Sequence, residues 1–467
     1  MEWLSIIPFL VVIPLAIWTK QVLPGLIVGL IVGSYLVEPS VIGGIQQTIT
    51  YIVQSLVTES NIKVLIFLYA FSGLVGMIKS AGGIRGFVEI SSEKVQTKKE
   101  AIILTWLSTV GTFSAPNFRI VTVAPIMKAL LGKIKMSKQE LAFVIETTSA
   151  PLIALVPIAT ASVGYMVSLI ETSLQHQGIS EAAYPLFIRS IPFNFFSIVI
   201  ILLGIYLSFF HHSKKSATKA EGKEDVEKEE DWHNCHPAVS KDLPARPWNL
   251  IIPLILVIGL TLFLTWWDGH SKGFGFFEAF INADVLTAMV VALIVTVLVS
   301  AVIFMFQKNK LVDLIARFVE GGNELMSVIL LLAVVWGLTA SAQDLGFSEF
   351  VTSNVDWIPT MFVPPALFIL GSIISYFVGS SWGTWGILMP LGVSMGVVSG
   401  APLALVIGAV FASGAFGAFA SPLSDNTNTI GKILDLTVIK YARFKLKPAL
   451  IAAGISAVLY GAVTFVM

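Results

Sequence analysis

Two short stretches place hydroxyls, amides and an acid beside a proline inside otherwise apolar sequence: ETTSAP, Glu146 to Pro151, and SPLSDNTNT, Ser421 to Thr429. Proline lacks an N–H and clashes with the carbonyl four residues back, so Pro151 and Pro422 predict broken helices with freed backbone carbonyls. Freed carbonyls, the hydroxyls of Thr148, Ser149, Ser421, Ser424 and Thr427, the amides of Asn426 and Asn428, and the carboxylates of Glu146 and Asp425 are hard oxygen donors. Such a set suits a small hard cation, with Asp425, Ser149 and Ser424 the first choices as its ligands. A carboxylate at the centre of a membrane helix costs about 2.5–3.5 kcal/mol on insertion scales, so it normally faces a cavity or an ion path. Two Gly-containing segments add further candidates: GSSWGTWG, Gly379 to Gly386, carries Ser380, Ser381 and Thr384, and GTFSAPN, Gly111 to Asn117, ends at Asn117 just before Arg119. The planar fork of Arg119 suits bidentate capture of a carboxylate, as in an organic anion or an amino acid. Each residue also has a plainer reading. Asp425 sits near Lys432 and Glu146 near Lys138, as helix-end residues would; Arg119 could pair internally with Glu146 or Asp425; and the hydroxyls could merely satisfy the broken backbone.

These groups need a membrane around them, and the composition supplies it. Of 467 residues, 55% are hydrophobic and 12% charged, against roughly 45–50% and 25% in an average soluble domain. Apolar runs able to enter a hydrocarbon core of about 30 Å lie at 3–19, 22–37, 62–79, 100–131, 141–170, 190–210, 248–267, 283–306, 325–343, 361–398, 401–431 and 448–467. The first of them follows an acid and precedes no cleavage site, so it is expected to be retained. With 29 basic and 29 acidic residues, no basic face is expected for nucleic acid. One cysteine, Cys235, permits no internal disulfide. The six histidines are expected in loops, and the patch His233, Cys235, His236 matches no zinc spacing well. Metalloprotease, nucleophile-elbow and phosphate-loop motifs are absent, so the chain is not read as an enzyme, nor as a user of a bound cofactor.

Lysine and arginine are sharply sorted. All but Lys63, Arg119, Arg189 and Lys272 fall at Lys20 or in five clusters, 79–99, 128–138, 214–246, 308–317 and 432–447. The positive-inside rule makes those clusters cytoplasmic and the chain a multi-pass membrane protein. The stretch 100–131 then begins and ends on one side, so it is expected to be a re-entrant hairpin with its tip at 111–117; 361–398 reads as a second, entering from the opposite face.

Ordered matches between two halves follow. Gly73 corresponds to Gly337, Gly111 to Gly379, Pro125 to Pro390 and Pro151 to Pro422, and the charge-derived directions of 62–79 and 325–343 are opposite. Inverted repeats with paired broken elements are the mark of secondary transporters, whose site lies at the repeat interface. The expected fold is therefore an all-α inverted-repeat transporter with two hairpins and two broken helices. Its divisions are scaffold helices 1–61; a first repeat 62–210 with hairpin 100–131 and broken helix 141–170; a charged cytoplasmic linker 211–247; scaffold helices 248–324; and a second repeat 325–467 with hairpin 361–398 and broken helix 401–431.

The segments Gly408 to Ile430, Gly379 to Pro390 and Leu141 to Ser162 resemble the NhaC family of sodium/proton antiporters, within the ion transporter superfamily. The resemblance implies exchange of Na+ for H+, an elevator motion and a homodimer. It places Ser421, Pro422, Ser424, Asp425 and Thr427 on the family's S-P-x-S-D-x-T pattern and Ser149, Ala150 and Pro151 on the first-repeat equivalent. By superfamily analogy one sodium site lies between the first hairpin tip and Ser149, and a second between Ser380, Ser381, Thr384 and the Asp425 region. The chain departs from the pattern where Ala418 and Phe419 replace an Asp-His pair and Ala115 and Pro116 an acidic pair. With fewer buried acids, and with Arg119 beside that tip, the alternative is a sodium-coupled carrier of a small carboxylate or amino acid, of the malate or lactate kind.

Overall fold

A computed structural model describes residues 2–83, 85–86, 97–109, 136–157, 160–209, 244–355 and 358–466, with a few positions between 116 and 131. Most of the first hairpin's tip, Asn117 included, and the linker up to residue 243 lie outside the described residues, as do Cys235 and its neighbouring histidines. All regular structure among the described residues is helical. In chain order the helices are α1 Ile7–Thr19, α2 Val22–Val37, α3 Val41–Leu56, α4 Glu59–Ser80, α5 Lys98–Leu107, α6 Lys138–Thr147, α7 Ala150–Ile153, α8 Ala161–His176, α9 Ala183–Ser190, α10 Phe195–Phe209, α11 Trp248–Ser271 and α12 Phe276–Ile281. They continue as α13 Val285–Phe306, α14 Leu311–Asn323, α15 Met326–Asp344, α16 Phe347–Val355, α17 Val363–Val378, α18 Ser381–Ser399, α19 Leu403–Ala420, α20 Asp425–Ile433 and α21 Val438–Val466. Seven helical stretches among the described residues are long and apolar enough to cross a bilayer, and an eighth if Ala183–Phe193 and Phe195–Phe209, bent by 43°, are one span.

Local sequence explains where these helices start. Thr97 with Glu100, and Ser137 with Glu140, form reciprocal capping boxes that open α5 and α6, each satisfying backbone N–H groups that the first turn leaves without a partner. The sequence did not separate α3 and α14 as elements, because each is amphipathic and too polar overall to read as a span. On α3 the exposed apolar residues Ile42, Ile45, Ile49 and Val53 recur at the three- and four-residue intervals of one helix face.

Two groups of helices pack around one another. In the first, α1, α2, α3 and α15 pack in succession, while α4 lies against α8, α13 and α14, and α11 against α13. The glycines at 76 and 321 bring α4 and α14 so close that a Cβ on Gly76 would meet the Arg317 carbonyl oxygen at 2.4 Å. The second group centres on α19, which touches α9, α10, α17, α18, α20 and α21. Helix α8 bridges the groups through α4 and α18, and the Tyr165 hydroxyl on α8 donates to the carbonyl of Trp382 on α18 at 2.5 Å.

Helices α17 and α18 form a helical hairpin. The chain turns at Gly379 and Ser380, so Ser381 to Gly386 belong to the first turns of α18 instead of extending the tip. Gly379 has φ +74°, and a Cβ there would stand 2.6 Å from the backbone carbonyl carbon of Leu423, in the break between α19 and α20. Gly379→Ala therefore carries both a left-handed backbone cost of about 1–2 kcal/mol and a clash with backbone that cannot give way. It is expected to lower the melting temperature and uptake together. A variant that melts and transports like the wild type would show that tip and break are not held in this contact.

Candidate ion and substrate site

Both Pro-containing stretches are broken. Helix α6 ends at Thr147, and Pro151 opens the short α7, where a missing N–H is tolerated because the first turn would leave it unpaired. The Thr148 hydroxyl lies 2.8 Å from the Val144 carbonyl, and the Ser149 hydroxyl donates to that of Ile145 at 2.6 Å. In the second stretch α19 stops at Ala420 and α20 begins at Asp425. There Ser424 donates to the Ala418 carbonyl at 2.6 Å, Thr427 to that of Ser421 at 2.8 Å, Ser421 to that of Tyr376 at 2.6 Å, and Asn428 to that of Ser424 at 3.0 Å. Thr384 likewise donates to the Ser380 carbonyl at 2.8 Å. Much of the hydroxyl and amide chemistry thus bonds main-chain carbonyls at the helix breaks, some of which, such as those of Val144 and Ser424, also accept a backbone N–H.

Not all of it does. A cavity of about 480 Å³ lies between the two helix groups, walled on one side by α2, α4 and α15 and on the other by both breaks and the α17–α18 tip. Ser380, Ser381, Ser424, Asp425 and Asn426 line it, together with Pro116 and Ala150 from the first half. Asp425 is exposed to this space, and among the described residues its carboxylate has no hydrogen-bond or ion-pair partner. It occupies the first position of α20, where the positive end of the helix dipole favours an anion. The N-terminus of α18 reaches the same cavity at Ser381. Toward the rim stand Lys20 and Glu324, the latter paired with Lys79 at 2.8 Å.

Glu146 is placed quite differently. It is wholly buried, away from the cavity lining, and meets Lys445 of α21, also wholly buried, at 2.6 Å. The Tyr441 hydroxyl donates to its other oxygen at 2.5 Å, and the Lys445 ammonium donates a second bond to Thr427 Oγ1 at 2.6 Å. Lys445, in the basic cluster 432–447 that the positive-inside rule makes cytoplasmic, is instead an internal charge. The signal was present: Tyr441, Lys445, Ala449, Ala452, Ser456 and Tyr460 form the buried face of α21, and their spacing of three and four residues is that of one helix stripe.

Arg119 is fully buried and not part of the cavity lining. Its guanidinium donates to Thr148 Oγ1 at 2.6 Å, to the Thr105 carbonyl at 2.5 Å and to Ser108 Oγ at 3.1 Å, tying α5 to the first break. Hydrogen bonds from a charged group contribute about 1.5–3 kcal/mol each, and a lysine cannot reproduce this fork. Arg119→Lys should accordingly lower the melting temperature and leave the apparent KM for any solute unchanged. A raised KM at unchanged stability would return Arg119 to substrate binding. Two of the six histidines, His176 and His270, close helices instead of lying in loops.

The comparisons with known proteins agree with this architecture. An uncharacterised protein of Haemophilus influenzae is 26% identical over 441 residues, spanning 91% of this chain and 83% of that one. The malate-2H(+)/Na(+)-lactate antiporter of Bacillus subtilis is 35% identical over 109 residues, 22% of this chain and 23% of its own. Among solved structures the fold is similar to MtrF of Neisseria gonorrhoeae, described as belonging to a class of antimetabolite efflux pumps, with a TM-score of 0.67 at 13% identity over 91% of this chain and 85% of that one. The YdaH transporter of Alcanivorax borkumensis gives a TM-score of 0.62, also at 13% identity, covering 90% and 88%. The sequence profile of the Na+/H+ antiporter family matches residues 160–465. This multi-pass membrane chain, whose regular structure is helical throughout the described residues, belongs to the Na+/H+ antiporter family.

Proposed function

We propose that the chain is a sodium/proton antiporter of the plasma membrane, in which the Asp425 carboxylate takes Na+ and H+ in turn. The observation that carries this reading is the carboxylate of Asp425, without a hydrogen-bond or ion-pair partner among the described residues, on the wall of a cavity bounded by both helix breaks. One group that binds either cation, but not both, couples two opposed fluxes when access alternates. Ser424, Asn426, Ser380 and Ser381 are the neighbouring oxygen donors, and the Ser149 break is the corresponding element of the first half. Lys20, Lys79 and Glu324 stand at the basic rim, so the cavity is read as open to the cytoplasm. An elevator movement of the α19-centred group against the other, in a homodimer, is the accompanying mechanism, and no resident cofactor is invoked.

Two features favour a second reading, sodium-coupled exchange of a small carboxylate or amino acid. A volume of about 480 Å³ greatly exceeds what a bare cation needs and falls within the roughly 300–1,000 Å³ of organic-ligand pockets. The N-termini of α18 and α20 also face this space, as half-helix N-termini face substrate carboxylates in other carriers. The Bacillus relative, and an arginine/ornithine antiporter of Halobacterium salinarum that is 31% identical over 137 residues (29% of this chain, 28% of its own), carry solutes of this kind by name.

The test is proteoliposomes containing a pH-sensitive dye, given sodium, lithium or potassium chloride at clamped membrane potential. Sodium-selective proton flux is expected. Its absence from folded protein, with sodium-dependent uptake of a labelled carboxylate or amino acid, would replace the first reading with the second.

A further inference from the structure

The Glu146 cluster is absorbed by neither reading. It joins α6, before the first break, to two elements near the other end of the chain, α20 at Thr427 beyond the second break and the following helix α21. Around the ammonium of Lys445 stand Glu146 Oε1 and Thr427 Oγ1, each at 2.6 Å, while Thr427 in turn donates to the Ser421 carbonyl freed by the break. The rings of Tyr441 and Phe419 cover the remaining side, with centroids 4.8 and 5.3 Å from Nζ. A carboxylate and a hydroxyl beside a broken helix, closed off from water by aromatic rings, make a site for a monovalent cation, and here the chain's own ammonium fills it.

We infer that Lys445 is a tethered occupant of a cation site: its ammonium replaces the exchangeable ion that Glu146 and Thr427 would otherwise hold between the two helix breaks. The chain then neutralises one buried carboxylate permanently and leaves Asp425 to deal with exchangeable ions. The inference deepens the transport reading, because it limits where the coupling cation binds, but its test reads stability in a background without Asp425.

Full-length Lys445→Ala/Asp425→Asn protein is purified in detergent, and its melting temperature is followed against Na+, Li+ and methylammonium, with choline holding ionic strength constant. Truncating Lys445 opens the site, so the melting temperature should rise with at least one of these cations, as ligand linkage requires. Asp425→Asn alone should show no such rise. The rise should disappear when Glu146→Gln is added, because the carboxylate that attracts the cation is gone. If Lys445→Ala fails to accumulate as folded protein, the neutral pair Glu146→Gln/Lys445→Met should still fold without any of the three ions. Two results would overturn the inference: folded Lys445→Ala/Asp425→Asn protein indifferent to all three cations, or a neutral pair that fails to fold just as Lys445→Ala does. If transport proves to be of an organic solute, or Asp425 proves dispensable to it, these melting results stand unchanged.

Discussion

Asp425→Asn is expected to abolish sodium-driven proton flux in proteoliposomes while the protein stays folded. The two halves of that expectation come from the same geometry. Asparagine matches aspartate in shape, and Asp425 is exposed to the cavity with no side-chain partner among the described residues, so little packing is lost. Substitutions of that kind usually change stability by no more than about 0.5 kcal/mol. The charge is a different matter. An amide oxygen is a weaker ligand for a hard cation and takes no proton at physiological pH, so both legs of the exchange lose their carrier. Flux and detergent melting should be measured on the same preparation. Near-normal exchange would remove Asp425 from the mechanism, and a melting temperature well below that of the wild type would mean that the carboxylate has a structural partner.

Glu146→Ala should produce the opposite pattern, a failure of folding with no need to invoke transport. It leaves the Lys445 ammonium without its counter-charge and the Tyr441 hydroxyl without its acceptor, both at fully buried positions. Breaking a buried pair by removing one member costs about 3–5 kcal/mol, a large part of the stability of an ordinary domain. The measurement is the yield of monodisperse protein and its melting temperature. Glu146→Ala protein that melts with the wild type would show that the pair contributes nothing to the fold.

What the sequence disclosed, and what it hid, follows from the reach of each interaction. The two breaks, the turn at Gly379 and the place of Asp425 beside a cavity all come from local signals: a proline, a left-handed glycine, an acid in an apolar run. Pairing is not local. Glu146 and Lys445 are 299 residues apart, and with Arg443 and Lys447 beside it Lys445 read as one more cytoplasmic base, although its place on the stripe from Tyr441 to Tyr460 marked it as inward-facing. The hydroxyls were legible as a group but not individually. Whether an oxygen faces a freed carbonyl, as in Ser421 and Thr427, or the cavity, as in Ser381, depends on side-chain torsions that spacing does not encode. Arg119 shows the same limit, since its fork grips two hydroxyls and a carbonyl of the protein's own.

Lys445 neutralises Glu146, whereas Asp425 has no counter-charge paired with it among the described residues. If the α19-centred group moves across the membrane as the transport reading requires, its buried pair crosses as a neutral dipole, and Asp425 gains one positive charge whether it takes Na+ or H+. Moving one elementary charge through the full potential is worth about 2.3 kcal/mol per 100 mV. The empty form differs by that amount from either loaded form, but in an exchanger only the loaded forms cross, each with the same charge, so exchange of one Na+ for one H+ is expected to be indifferent to the membrane potential.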